Sequence, residues 1–169
     1  YYQTNVLGAL NILEACKLNK SVKRIIHTST SEVYGSAQQI PINENHPLVG
    51  QSPYSASKIA ADKLAESFYL SFNLPIITVR PFNTFGPRQT TRAVIPTIIS
   101  QLVLGAKKLS LGNIHATRDF NYVLDTVKTI TELSINKKAI GKTINIGSGK
   151  EISIKKTAST IMKIMNYKV

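Results

Sequence analysis

Ser52-Pro53-Tyr54-Ser55-Ala56-Ser57-Lys58 decides the reading of this chain. Serine followed by proline is a helix start. The hydroxyl caps a free backbone N–H, and proline suits the first turn, where its missing N–H has no partner to lose. The helix so begun is expected to run to about Phe72, with Ile59, Ala60, Leu64, Phe68 and Leu70 facing a sheet. An apolar run stands on each side of it. Lys23 to Thr28 contains Arg-Ile-Ile-His-Thr, and Leu74 to Arg80 reads Leu-Pro-Ile-Ile-Thr-Val-Arg. Strand, helix, strand in this rhythm predicts an α/β fold built on a parallel, helix-covered sheet.

The same stretch carries chemistry. Tyr54 and Lys58 are four residues apart, so they share one helix face. A free phenol, with a pKa of about 10, is a poor base at neutral pH. A neighbouring ammonium favours phenolate, so Lys58 is expected to lower the Tyr54 pKa. Upstream, Thr28-Ser29-Thr30-Ser31-Glu32-Val33-Tyr34-Gly35 leaves the first strand at its C-terminal end, where open α/β sheets bind their ligands. A Tyr/Lys pair facing Thr30 and Glu32 has the groups to remove a hydroxyl proton and then a carbon-bound one. Alone, Tyr-x-x-x-Lys reads more simply as a solvated helical pair; the upstream Thr/Glu turn reverses that reading.

Outward from this centre, residues 2–19 show helical periodicity, with Val6, Leu7, Leu10, Leu13 and Leu18 as a buried stripe and Thr4 or Asn5 as a cap or ligand contact. His27, inside a strand, reads as packed and hydrogen-bonded rather than as a base. Residues 36–53 read as a loop. So does Arg80-Pro81-Phe82-Asn83-Thr84-Phe85-Gly86-Pro87-Arg88, in which Asn83 either holds a phosphate oxygen or bonds its own turn. A helix over about 93–104 and a short strand over 109–111 follow. Thr117 to Val123 reads as a strand and Asp125 as the N-cap of a helix over 126–136. Arg118 either grips a diphosphate bidentately or pairs with Asp119. Residues 142–146 form a further strand. It ends at Gly147-Ser148-Gly149, which lacks the Gly-x-Gly-x-x-Gly spacing of a dinucleotide loop. A final helix covers 152–165.

Composition narrows the class. At 169 residues and 43% hydrophobic content the chain can bury a core. No segment approaches the roughly 20 apolar residues of a membrane span. The single cysteine, Cys16, has no internal disulfide partner and fits a reducing, cytoplasmic setting. No clustered Cys/His set suggests a metal. The net charge of +12 is concentrated in residues 81–169, but the lysines are scattered with little aromatic interleaving, so neither nucleic acid nor a membrane is expected as partner. The chain opens Tyr-Tyr-Gln and enters a helix at once, which reads as a piece of a longer protein.

Five motifs in order carry a resemblance. Thr4-Asn5-Val6-Leu7-Gly8, Thr28 to Gly35, Ser52 to Lys58, Arg80 to Pro87, and Arg118-Asp-Phe-Asn-Tyr-Val123 resemble the extended short-chain dehydrogenase/reductases. More narrowly, they resemble the NAD-dependent nucleotide-sugar epimerases and 4,6-dehydratases. The resemblance implies a Rossmann-like parallel sheet, with residues 1–80 as the later half of an NAD-binding domain. Residues 81–169 would be mainly a smaller mixed substrate-binding domain, with 117–137 returning to the Rossmann sheet. It implies NAD as cofactor and a nucleotide-diphosphate sugar as substrate. Tyr54 would take the proton of the sugar 4-hydroxyl, Thr30 would bond that hydroxyl, and Lys58 would hold the nicotinamide ribose. Thr4 and Pro81 would contact the cofactor, and Asn83, Val94 and Arg118 the nucleotide. Glu32 would remove the C5 proton, as in the 4,6-dehydratases. Ser31 stands where the dTDP-glucose dehydratases have an acid for the leaving water and where the GDP-mannose dehydratases have serine. UDP-glucuronate decarboxylases share the Thr-Ser-Glu turn, and 4-epimerases share the Tyr/Lys pair. The overall wording is most similar to the UDP-N-acetylglucosamine 4,6-dehydratases of surface-polysaccharide pathways. Helices 2–19 and 54–72 would build a homodimer in such a family. Nothing before Tyr1 resembles the family's Gly-rich loop, so the piece by itself is expected to be inactive, a non-catalytic remnant, and poorly soluble along an unpaired sheet edge.

Overall fold

A computed structural model describes residues 1–167. The chain divides into two compact units. The first comprises residues 1–82 and 124–146, the second, within the described residues, 83–123 and 147–167.

The first unit is an α/β layer structure. After a π-helical turn, Tyr2–Leu7, come helix α1 (Gly8–Leu18), strand β1 (Ile25–Thr28), a 3-10 turn (Ser31–Tyr34), helix α2 (Pro53–Phe72) and strand β2 (Ile76–Pro81). Three parallel strands form the sheet, in the order β1-β2-β6 (β6 is Thr143–Ile146), with Ile26 opposite Ile77 and Val79 opposite Ile144. The central strand is buried from Ile76 to Arg80 because helices cover both faces. Alternation along the strand sorts its side chains. Ile76 packs with Leu13, Ala65, Phe68 and Leu74 under α1 and α2. Ile77 and Val79 pack with Ala139 and Ile146, and with Ile130 and Leu133 of helix α4 (Val123–Ile135).

The second unit joins two small strand pairs to a helical pair. Strand β3 (Asn83–Phe85) runs parallel to β5 (Phe120–Tyr122), and β4 (Thr117–Arg118) antiparallel to β7 (Ile152–Ser153). Helices α3 (Val94–Val103) and α5 (Ile154–Ile164) bury Ile98, Leu102 and Ala158 between them.

Several expectations are corrected. Residues 83–85 form a strand, not a loop. The stretch 117–123 is two strands in different sheets, broken at Asp119, whose carboxylate accepts from Ser148 N, Ser148 Oγ and Gly149 N. Of the span 117–137, only residues from Leu124 onward belong with the Rossmann-type sheet. Helix α4 starts at Val123, so Asp125 lies inside its first turn, where its charge suits the helix dipole, and is not the cap. Residues 109–111 form no strand, because the Gln101 amide satisfies the backbone of Ser110 through both N–H and C=O. The apolar stripes are also shifted. Over the π-helical turn and α1 only Leu13 is buried, with Leu7 and Leu18 exposed; on α2 Leu70 is exposed and the buried face is Ser55, Ser57, Ala61, Asp62, Ala65 and Phe68.

Candidate active site

Helix α2 starts at a reciprocal cap. The Ser52 hydroxyl accepts from Ser55 N, and the Ser55 hydroxyl meets Ser52 N, both at 3.0 Å. Pro53 holds the first turn, so Tyr54 projects from a rigid helix end. Buried Ser57 braces it by donating to the Tyr54 carbonyl at 2.7 Å and accepting from Asn5 Nδ2 at 3.0 Å. The Tyr1 ring meets the Tyr54 ring edge to face, with centroids 5.5 Å apart.

Opposite stands the turn that follows β1. Thr30 is extended and caps the 3-10 turn, its hydroxyl accepting from Glu32 N at 3.3 Å. That hydroxyl also favours the ionised form of the Tyr54 phenol. Glu32 is exposed, and its carboxylate acts on the same phenol. Gly35 closes the turn at φ 65, and a Cβ there would meet the Val49 carbonyl at 2.9 Å.

The electrostatics differ from the expectation in one respect. The Tyr54 phenol is held above its ordinary pKa: burial raises it most, the Glu32 carboxylate adds to that, and the Thr30 hydroxyl only partly offsets both. Lys58 does not depress it. The Lys58 ammonium donates to the Thr28 carbonyl at 2.6 Å, and its own pKa is lowered by burial, with Asp62 acting against the shift. Helical spacing places Lys58 on the face of Tyr54, yet its long stem ends on an acceptor supplied by β1.

Helix α2 packs against the 3-10 turn, so Tyr54 lies on an element adjoining the one that Thr30 caps and that carries Glu32, and Lys58 lies one helical turn further on. Ser31 opens the 3-10 turn, partly buried. Thr4 is exposed in the π-helical turn, and Pro81 ends β2 opposite Ile146. Asn83, Val94 and Arg118 lie in the second unit. Asn83 begins β3 and donates its N–H to the Asp119 carbonyl. Val94 packs at the edge of the α3–α5 core. Arg118 is exposed and donates to the Thr117 carbonyl at 2.7 Å, not to the Asp119 carboxylate. Among the described residues, no group of three or more His, Cys, Asp or Glu is placed to hold a metal.

Sequence reasoning overlooked the polar cluster beneath these groups. Arg80 is buried on β2 and bonds Asp62 through Nε and Nη2, at 3.1 and 3.0 Å. The other Asp62 oxygen accepts from His27 Nε2 at 2.9 Å. A charged residue ending the apolar run Ile-Ile-Thr-Val-Arg was the available signal, since a buried guanidinium demands a carboxylate.

A doubly covered parallel sheet, with a Tyr/Lys pair on the helix after a Thr/Glu turn, defines the NAD-dependent epimerase/dehydratase class. The chain belongs to it: the family model described as GDP-mannose 4,6 dehydratase matches residues 1–168. The dTDP-D-glucose 4,6-dehydratase of Dictyostelium discoideum is 37% identical over 97% of this chain and 40% of its own length. The dTDP-glucose 4,6-dehydratase of Bacillus anthracis, crystallised with NAD, superposes with a TM-score of 0.92 at 32% identity, covering 99% of this chain and 53% of that one. A UDP-N-acetylglucosamine 4-epimerase of Methanobrevibacter ruminantium, solved with UDP-N-acetylmuramic acid, gives 0.91 at 32% identity over 100% and 55%. The chain thus spans about half the length of the solved relatives it matches.

The residues present fit one end of NAD. Lys58 and Tyr54 offer an ammonium and a phenol beside the C-terminal end of β1, suited to ribose hydroxyls. No Gly-x-Gly-x-x-Gly occurs in residues 1–169, and the amides of Ser148 and Gly149 are already taken by Asp119.

Proposed function

We propose that this chain carries the acid–base half of an NAD-dependent nucleotide-sugar 4,6-dehydratase. One observation carries the reading: the Lys58 ammonium bonds the Thr28 carbonyl at 2.6 Å and helix α2 packs on the 3-10 turn, which sets the start of α2, with Tyr54, beside the turn that Thr30 caps and that carries Glu32. Inversion at C4 moves one hydroxyl proton and one hydride, and needs no carboxylate. Loss of water across C5 and C6 needs a base at C5, and Glu32 supplies one. Lys58 and Tyr54 would hold the nicotinamide ribose. NAD, when bound, supplies the acceptor and then the donor of the hydride exchanged with the sugar. Tyr54 Oη takes the proton of the 4-hydroxyl, held by Thr30. The 4-keto group so formed acidifies C5–H, and a Glu32 oxygen removes that proton. Ser31 is no acid, so the proton for the departing 6-hydroxyl comes from Glu32 itself or through a water. Thr4 and Pro81 would contact the cofactor, and Asn83, Val94 and Arg118 the nucleotide. UDP-N-acetylglucosamine is the first sugar nucleotide to try, supported by the motif wording and by the likeness to an enzyme named for that sugar.

A 4-epimerase is the second reading, favoured by the equal 32% identity to a dehydratase and an epimerase. The span of about half a relative's length favours a third, a binding remnant without turnover. The full-length gene product, given NAD with UDP-N-acetylglucosamine, GDP-mannose or dTDP-glucose, separates them by product mass. Loss of one water supports the dehydratase. An isobaric product marks the epimerase, and no product at all marks the remnant. UDP-glucuronate completes the set, because release of carbon dioxide from it would make the enzyme a decarboxylase.

A homodimer is the partner we propose, supported by the apolar side chains exposed along the first two helices: Leu7, Ile12, Leu18, Leu70 and Phe72. Light scattering on the eluted protein tests it, and a monomer at working concentration would refute it.

A further inference from the structure

The buried polar cluster under the site takes no part in the proton transfers above. Arg80 nevertheless touches each element that carries them. Its Nε and Nη2 reach Asp62 on α2, four residues beyond Lys58. Its Nη1 donates to the Tyr34 hydroxyl at 2.9 Å, and Tyr34 closes the 3-10 turn that holds Glu32 and is capped by Thr30. Two further bonds extend the cluster. His27 of β1 donates to Asp62, and the Tyr34 hydroxyl donates to Asn145 Oδ1 of β6 at 2.7 Å. Asp62, Arg80 and Tyr34 are all buried.

A buried ion pair is a poor stabiliser compared with apolar residues of the same volume, and its best-attested use is to fix geometry. Guanidinium suits that use here. Its rigid fork bonds the helix on one side and the turn on the other, which the single ammonium of lysine cannot reproduce. We propose that Arg80 is a positioning residue. It locks the Thr30/Glu32 turn against the helix of Tyr54 and Lys58, and so sets the separation of carboxylate and phenol. The kinetic consequence rests on the dehydratase reading; the structural tie does not.

The test uses the full-length gene product as wild type, Arg80→Lys and Tyr34→Phe. Tyr34→Phe keeps the ring and removes the hydroxyl, and with it the bonds to both Arg80 and Asn145, so it covers the case in which Arg80→Lys fails to fold. Amide hydrogen exchange read by mass spectrometry is the first measurement. Loss of one tie should speed exchange in residues 29–35 by about tenfold while residues 53–72 stay at the wild-type rate. The second measurement is sugar C5 proton exchange with solvent. A carboxylate displaced by about 1 Å should slow it by roughly 10²-fold, with KM for the sugar nucleotide and NAD affinity unchanged. Wild-type protection of residues 29–35 in both variants would overturn the proposal. So would faster exchange spread equally over all segments with unchanged kcat, the mark of a packing role alone. If the wild type itself exchanges no C5 proton, the dehydratase reading fails, and the amide measurement still decides the positioning claim.

Discussion

Replacing Asp62 by asparagine tests the electrostatic core of the first unit. The carboxylate is 4% exposed and accepts three hydrogen bonds, two from Arg80 and one from His27. Burial is the largest influence on its pKa and pushes it up. The His27 bond and the Arg80 charge prevail, so the group sits below its ordinary value. Asparagine keeps the shape but removes the charge, leaving the Arg80 guanidinium buried without a counter-ion. Breaking one side of a buried pair costs about 3–5 kcal/mol. That is a large share of the roughly 5–15 kcal/mol that holds a domain folded. The pH dependence follows from the direction of the shift. A carboxyl with a depressed folded-state pKa contributes fully above its unfolded value of about 3.9 and loses the contribution as pH falls through the folded value. Urea unfolding of wild type and Asp62→Asn should therefore show the widest gap at neutral pH, and a gap that closes in acid below about pH 3.9. A gap that stays constant from neutral to acid pH, or one under about 0.5 kcal/mol at neutrality, would refute the reasoning, since surface changes commonly reach that size.

Two further outcomes are expected. Glu32→Gln removes the negative charge that raises the Tyr54 phenol, so its pKa should fall; ultraviolet titration against the same variant carrying Tyr54→Phe isolates that ring, and an unchanged or higher value would contradict the placement of Glu32. Gly35→Ala forces a side chain into a positive-φ position against the Val49 carbonyl, which should cost about 1–3 kcal/mol in denaturant melts; a neutral effect would mean that the turn carrying Glu32 is not held as described.

The α/β class was legible because its signals are local. A run such as Ile-Ile-Thr-Val is a buried strand in almost any setting, and Ser52-Pro53 marks a helix start by its own chemistry. What escaped depends on distant partners. Residues 83–85 become a strand only because Phe120–Tyr122 lies alongside, and Leu109 to Leu111 fails as a strand because a side-chain amide takes the Ser110 backbone. The inner face of α2 mixes serine, alanine and aspartate with Phe68, so an apolar stripe was only part of its signature. At the site, the sequence placed Tyr54, Thr30 and Glu32 on a helix start and a strand-end turn, which the fold packs together, but spacing alone did not reveal where the Lys58 ammonium ends. The Thr28 carbonyl captures it, and burial together with Glu32 then moves the phenol in the direction opposite to the one expected. Arg80 was visible as a charge at the end of an apolar strand. Its carboxylate partner was not, because helix and strand come together only in the fold.

The most direct test of the dehydratase reading is proton NMR of the product formed from UDP-N-acetylglucosamine in D2O by the full-length gene product. The account predicts a 4-keto-6-deoxy sugar with deuterium at C5 from the wild type, and neither product nor C5 exchange from Glu32→Gln. A C4 epimer that keeps its C5 proton, made as quickly by Glu32→Gln as by the wild type, would contradict it.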